Sequence, residues 1–208
     1  MPGLRSAALL ALLCLCAVPA AAAESAASLA AGARAECEAG RRAEGRDARK
    51  EHFDRGQALG ERAVALDDQS AEAHFSLFCN LGELMRLDGE NMTSVMGFRR
   101  MMAELDRTLE LDPHHVDALA SKGTFLLRLP RLLGGDARKG EAMLREVIRK
   151  DPTAVSSRLT LARTCEARGE REEALAFATR ALQIARSQGR ADKVAEAQAT
   201  LAELRADR

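Results

Sequence analysis

Cys37, Cys79 and Cys165, together with His52, His74, His114 and His115, are the side chains of this 208-residue chain best suited to nucleophilic, redox or metal chemistry. Their spacing gives them no common site. A helical zinc site sets two histidines four residues apart beside a glutamate, and no two histidines here are so placed. His114 and His115 follow Pro113 in a polar turn, where solvation is the expected state. The three cysteines are odd in number and far apart in helical patterns, so they read as small buried hydrophobes rather than a disulfide framework. If one pair oxidises, the sequence leaves open which. A reactive thiol needs a cationic neighbour or a helix N-terminus. Arg163 lies two residues from Cys165, a spacing that points the side chains apart on a helix.

Other catalytic signatures are missing as well. No serine sits in a nucleophile elbow, and no glycine-rich loop carries the lysine and hydroxyl of a phosphate site. Asn91-Met92-Thr93 matches a glycosylation acceptor, a short and common pattern. The segment Arg128-Leu-Pro-Arg-Leu-Leu-Gly-Gly-Asp136 is the most structured of the loops. Pro130 ends one helix, Gly134-Gly135 allow φ > 0, and Asp136 caps the next helix. That is a structural connection first, and an anion site at the helix N-terminus second. The chain therefore reads as a non-enzyme, with no cofactor and no metal.

What remains is a framework of helices. Apolar residues make up 47% of the chain, enough for a core, yet there is no Trp, no Tyr and only six Phe. Ala, Leu, Arg and Glu dominate, all strong helix formers, and β-branched residues are sparse. The fold class is all-α. Lys plus Arg equals Asp plus Glu at 31 each, so the charge balance argues for neither nucleic acid nor an anionic membrane surface.

Residues 1–23 read as a secretory signal peptide. Arg5 gives the positive start, Ala7–Val18 is an apolar run of 12 residues, too short to span a bilayer, and Pro19 breaks it. Ala21-Ala22-Ala23 offers small residues for cleavage after Ala23, with Ala20 as the alternative. Cys14 and Cys16 follow Leu13 and Leu15, whereas lipid attachment asks for a small residue there. The expectation is an exported protein, with no stable membrane anchor after cleavage.

The rest of the chain repeats. Leu111-Asp112-Pro113 and Lys150-Asp151-Pro152 each close a helical segment, and Ala65-Leu66-Asp67-Asp68 closes an earlier one without the proline. The units start near Phe75, Val116 and Val155 and carry Phe78, Leu81-Gly82 and Met85; Leu119, Lys122-Gly123 and Leu126; and Leu161-Ala162 and Cys165. The last unit goes on with Gly169, Ala174, Ala178 and Ala181. These patterns resemble the tetratricopeptide repeat (TPR). Gly82, Gly123 and Ala162 share a position where a large side chain would hold paired helices apart. Gly56, Gly140 and Ala174 are expected to face it from the second helix, with Met101 a large exception. A Gly inside a helix costs about 1 kcal/mol relative to Ala, so its recurrence points to close approach.

Helices of this length are marginal alone, so the units must stack. The expected architecture is a TPR-like right-handed α-solenoid of about four helix pairs: a helical or flexible lead-in over 24–36, the array over 37–186, and a capping helix within 187–208. Val194, Ala197, Leu201 and Leu204 give that last helix its apolar stripe.

From Phe75 to Val116 is 41 residues and from Val116 to Val155 is 39, both longer than the roughly 34-residue period. The surplus falls in the turns at 88–94 and 128–136, which would form an irregular rim containing Pro130, Arg131, Gly134, Gly135 and Asp136. The Leu-Pro-Arg-Leu-Leu-Gly-Gly-Asp turn, its Gly-Glu-x-x-Leu helix and the following Asp-Pro are similar to the T-components associated with bacterial TRAP transporters. The resemblance covers roughly residues 70–185. It implies an exported scaffold or adaptor for a protein partner, with a periplasmic solute-binding protein as one candidate. The alternative it implies is an envelope carrier holding a small hydrophobic ligand, in a channel lined by Met101, Leu127, Leu132 and Leu133. The binding face it implies is the concave one, set by first-helix positions: Cys79, Asn80 and Glu83; Asp117, Ser121, Thr124 and Leu127; Ser156, Leu159, Arg163 and Glu166.

Overall fold

The computed structural model describes residues 24–88 and 95–206. The expected signal peptide and most of the first long turn, Asn91 included, lie outside the described residues. Within them the chain forms α-helices and no strand: α1 (Ala26–Arg42), α2 (Arg46–Leu66), α3 (Ala71–Leu87), α4 (Val95–Leu111), α5 (Val116–Arg128), α6 (Ala137–Lys150), α7 (Val155–Ala167), α8 (Arg171–Ser187) and α9 (Ala191–Ala206). They pair as α1/α2, α3/α4, α5/α6 and α7/α8, with α9 packed on the last pair.

The helices begin where local chemistry satisfies their free N–H groups. The Ser25 hydroxyl accepts from the backbone of Ser28, and Ser28 returns the bond to Ser25, a reciprocal cap. Ser70 caps α3 and Asp136 caps α6 in the same one-sided way. His115 caps α5 through Nδ1, accepting from Ala118 at 3.3 Å. The buried stripe of α1 runs unbroken from Leu29 through Ala33 and Cys37 to Gly40. The boundary expected at residue 37 falls inside α1, which already begins at Ala26.

The recurring aspartates have one job. Asp67, Asp112 and Asp151 each accept through Oδ1 from the backbone N–H two residues on, at 3.0, 2.9 and 2.8 Å. Each backbone carbonyl also accepts from the residue three positions later. The side chain imitates a turn, so the same bend closes three helix pairs whether or not proline follows.

Pairing depends on what stands opposite each small residue. Gly123 and Gly140 bring the backbones of α5 and α6 together, and Ala162 and Ala174 are both fully buried in one cluster of the last pair. In the first two pairs a glycine on the first helix receives a large side chain from the second. Met101 reaches Gly82, and the Phe53 ring lies on Gly40. Phe53 and Met101 are 0% and 2% exposed, so each fills the gap its glycine leaves. Gly56 does not take the facing position assigned from its sequence spacing. It lies against Asn80 of α3, making room for the next pair rather than for its own.

The pairs are joined by side chains. Phe75 stacks on His115 at 4.5 Å between ring centroids, and Phe78 meets Phe125 edge-on at 6.3 Å, tying α3 to α5. Arg145 of α6 bonds Glu173 of α8, and Arg168 bonds Glu141 of α6. Arg163 of α7 reaches Glu196 and Thr200 of α9.

Candidate interaction face

The odd-numbered helices follow one another along the array. α1 lies beside α3, the Phe75–His115 and Phe78–Phe125 contacts carry α3 to α5, and α7 follows α5 and meets α9. They supply the face on which the binding residues were expected. The structure divides those residues into two groups.

At the amino-terminal end the expected residues are buried. Asn80 is fully enclosed, and its Nδ2 donates to the carbonyls of Ala33 and Ser76, both at 2.9 Å. Cys79 is 8% exposed and Glu83 4%. The cause is the close approach of α1 to α3, which covers positions that the repeat pattern by itself leaves open. Glu83 accepts from Arg41 and Arg86, each at 2.7 Å. Burial pushes the Glu83 pKa upward, but the two guanidiniums outweigh it and hold the carboxyl below its ordinary value. These three side chains fasten the first pair to the second and present nothing to a partner. Leu159 is also fully buried, in the core shared by α7 and α8.

The remaining positions stay accessible. Asp117 and Ser156 are exposed, while Ser121, Thr124, Leu127, Arg163 and Glu166 are half-buried. Asp117 pairs with Arg34 at 3.1 Å, so α1 and α5 are linked across the face. Arg34 also lies 3.7 Å from Glu72 and 4.8 Å above the Phe75 ring. The strip offers hydroxyls, carboxylates and one leucine, without a concentration of either charge.

The rim is a hydrogen-bonded turn. Arg131–Leu133 form a short 3-10 turn, Gly134 has φ of 89°, and the N–H groups of Gly134 and Gly135 return to Arg131 and Pro130. A side chain on Gly135 would run into the Leu129 carbonyl, so glycine is required there. Pro130, Arg131 and Asp136 are exposed, with Asp136 committed to capping α6. Leu132 is 98% exposed. Met101 is packed beneath Gly82, so Met101, Leu127, Leu132 and Leu133 do not line one apolar channel, and the carrier arrangement is not formed.

The histidines remain apart. His52 bonds Glu36 at 2.7 Å, and buried His74 bonds Glu104 at 2.6 Å. His114 is exposed, but His115 is not simply a solvated turn residue, because it caps α5 and stacks on Phe75. Cys165, Glu170 and Glu173 approach closely enough to hold a cation among them. Their carboxylates are engaged by Arg168 and Arg145. Burial pushes the Cys165 thiol up to about 11.

No protein-family model and no curated protein matches the chain. Solved structures match it in shape. A thermophilic TPR protein of Thermus thermophilus, TTC0263, is similar with a TM-score of 0.62 and 18% identity, over 86% of this chain and 82% of that one. The MamA RS-1 ArsTM double mutant aligns over 82% of this chain and 94% of that one, at 15% identity and a TM-score of 0.48. YrrB, described as a TPR protein with an unusual peptide-binding site, aligns over 71% of this chain and 84% of that one, at 17% identity and a TM-score of 0.39. The likeness to the Thermus protein shows the fold, an all-α solenoid of tetratricopeptide type. These matches do not show the narrower likeness to transporter T-components.

Proposed function

We propose that this chain is a non-catalytic scaffold that binds a segment of a protein partner along the α5–α7 part of its odd-helix face. The carrying observation is the division of that face. The first two pairs are sealed by Asn80, Cys79 and Glu83, whereas Asp117, Ser121, Thr124 and Leu127 stand open beside Ser156 and Glu166. Hydroxyls and carboxylates around a single leucine suit a helix or an extended strand with mixed side chains. The groups best equipped for chemistry are buried, paired or apart, which favours recognition over catalysis.

The setting we propose is the bacterial envelope, reached with the signal peptide read in residues 1–23, and a solute-binding protein is the partner class to test first. Two experiments address this reading. Sequencing the amino terminus of the protein isolated from its native cells should give Glu24 as the first residue; a retained Met1 would refute export. Partners co-purified with the wild type should be lost from Ser121→Arg and Ser156→Arg but kept by Thr179→Arg on α8, an exposed position on a different helix. Equal recovery from all variants would place binding elsewhere.

A further inference from the structure

We propose that Cys37 and Cys79 are a redox-convertible pair whose disulfide ties the first helix pair to the second. Neither thiol is alone. Cys37 stands on α1 and Cys79 on α3, two helices packed side by side, and both belong to one core cluster. They are 1% and 8% exposed, and each thiol is the leading influence on the other's titration. The surroundings treat the two sulfurs differently. The interaction with Cys79, helped by the nearby Arg41 and Arg34 guanidiniums, holds the Cys37 thiol below its ordinary range against the effect of burial. The interaction with Cys37 and burial push the Cys79 thiol up, so Cys79 keeps its proton. Of the two sulfurs, Cys37 is the one shifted toward the thiolate and Cys79 the one shifted toward the thiol.

Hydrogen peroxide is the oxidant for this step. The Cys37 thiolate attacks one peroxide oxygen, the O–O bond breaks, and the departing hydroxide takes a solvent proton and leaves as water. Cys37 is then a sulfenic acid. The Cys79 sulfur attacks the Cys37 sulfur, the S–O bond breaks, and the leaving hydroxide takes the Cys79 proton as a second water. Two thiols lose two electrons and the peroxide gains them. Cys165 is the internal control: it lies in a separate cluster on α7, and its protonated thiol has no second cysteine in that cluster.

The test uses the chain as isolated from cells, reduced, freed of reductant and treated with hydrogen peroxide. Peptide mapping after alkylation should find the Cys37 and Cys79 peptides joined, with the mass of two hydrogens lost, and the Cys165 peptide alkylated. The joined form should melt several degrees higher than the reduced form, and reductant should reverse the shift, because the bond restricts the unfolded chain. Cys165→Ser should leave the joined peptide unchanged. The proposal is overturned if Cys37 and Cys79 both remain alkylatable, if either joins Cys165, or if the joined form melts no higher than the reduced one. The comparison of oxidised with reduced wild type needs no variant to fold.

Discussion

Gly123 and Gly140 face each other so closely that a Cβ on Gly123 would lie 2.9 Å from the Gly140 carbonyl oxygen, and one on Gly140 would lie 2.7 Å from that of Gly123. Both obstacles are backbone, which cannot rotate away. Gly123→Ala should therefore destabilise the chain by about 1–3 kcal/mol, despite the better helix propensity of alanine. Gly82 is the contrast. A Cβ there meets only Met101 Sδ at 3.4 Å, the far end of a flexible side chain. Gly82→Ala should be neutral or stabilising by up to about 1 kcal/mol. Thermal or urea unfolding of the two variants checks the pair; the same sign for both would contradict this helix crossing.

Gly56 and Asn80 form a second dependent pair. A methyl on Gly56 would overlap the Asn80 carboxamide, displacing its bonds to Ala33 and Ser76. Gly56→Ala should cost about 1–3 kcal/mol. Asn80→Ala loses the same bonds and should cost a similar amount. Because the damage is shared, the double variant should cost clearly less than both singles combined. Additive effects in the double-mutant cycle would show that the two residues act independently.

Glu83 makes stability depend on acid. Its folded pKa lies below the ordinary carboxylate value of 4.5, because Arg41 and Arg86 outweigh the upward push of burial. A depressed folded pKa means that the unfolded chain takes up the proton first as pH falls. The contribution is complete above the ordinary value and disappears as pH drops through the folded one. Glu83→Gln should cost about 1–3 kcal/mol near neutral pH. The gap between wild type and variant should narrow below about pH 4. A gap independent of pH would mean that the charge on Glu83 contributes nothing.

The rim turn separates structural from surface roles. Asp136→Ala removes the cap of α6 and should cost about 1 kcal/mol. Gly135→Ala should cost more, since the added carbon overlaps the Leu129 carbonyl. Leu132→Ser, at a side chain fully in solvent, should leave the unfolding free energy within about 0.5 kcal/mol of wild type. A large loss from Leu132→Ser would show that this turn packs on the array in solution.

Much of the fold was readable from residue types and spacing, because the relevant physics is local. Alanine and leucine at helical period, serine and aspartate at helix starts, and aspartate at the closing turns all act within a few residues of themselves. The small residues at Gly123 and Ala162 mark inner positions where paired helices pack closely, whereas Gly82 meets only the flexible end of Met101. Counting from those landmarks failed at Gly56, because Phe53 already fills the space beside Gly40.

The face was less legible. Repeat position assigns Asn80, Glu83, Ser121 and Ser156 alike to the odd-helix surface, but burial depends on how closely the next helix approaches, and that distance is set by side chains far away in sequence. Between α1 and α3 the gap closes, enclosing Asn80 and Glu83 and bringing Cys37 against Cys79. At α5 and α7 it stays wider, and Ser121 and Ser156 remain in reach of solvent. Which segments are helices, and where each pair bends, follows from residue types and their spacing. Only the tertiary structure decided which surface residues are open and which thiols meet, because those outcomes are sums over packing contacts between helices that no local pattern encodes.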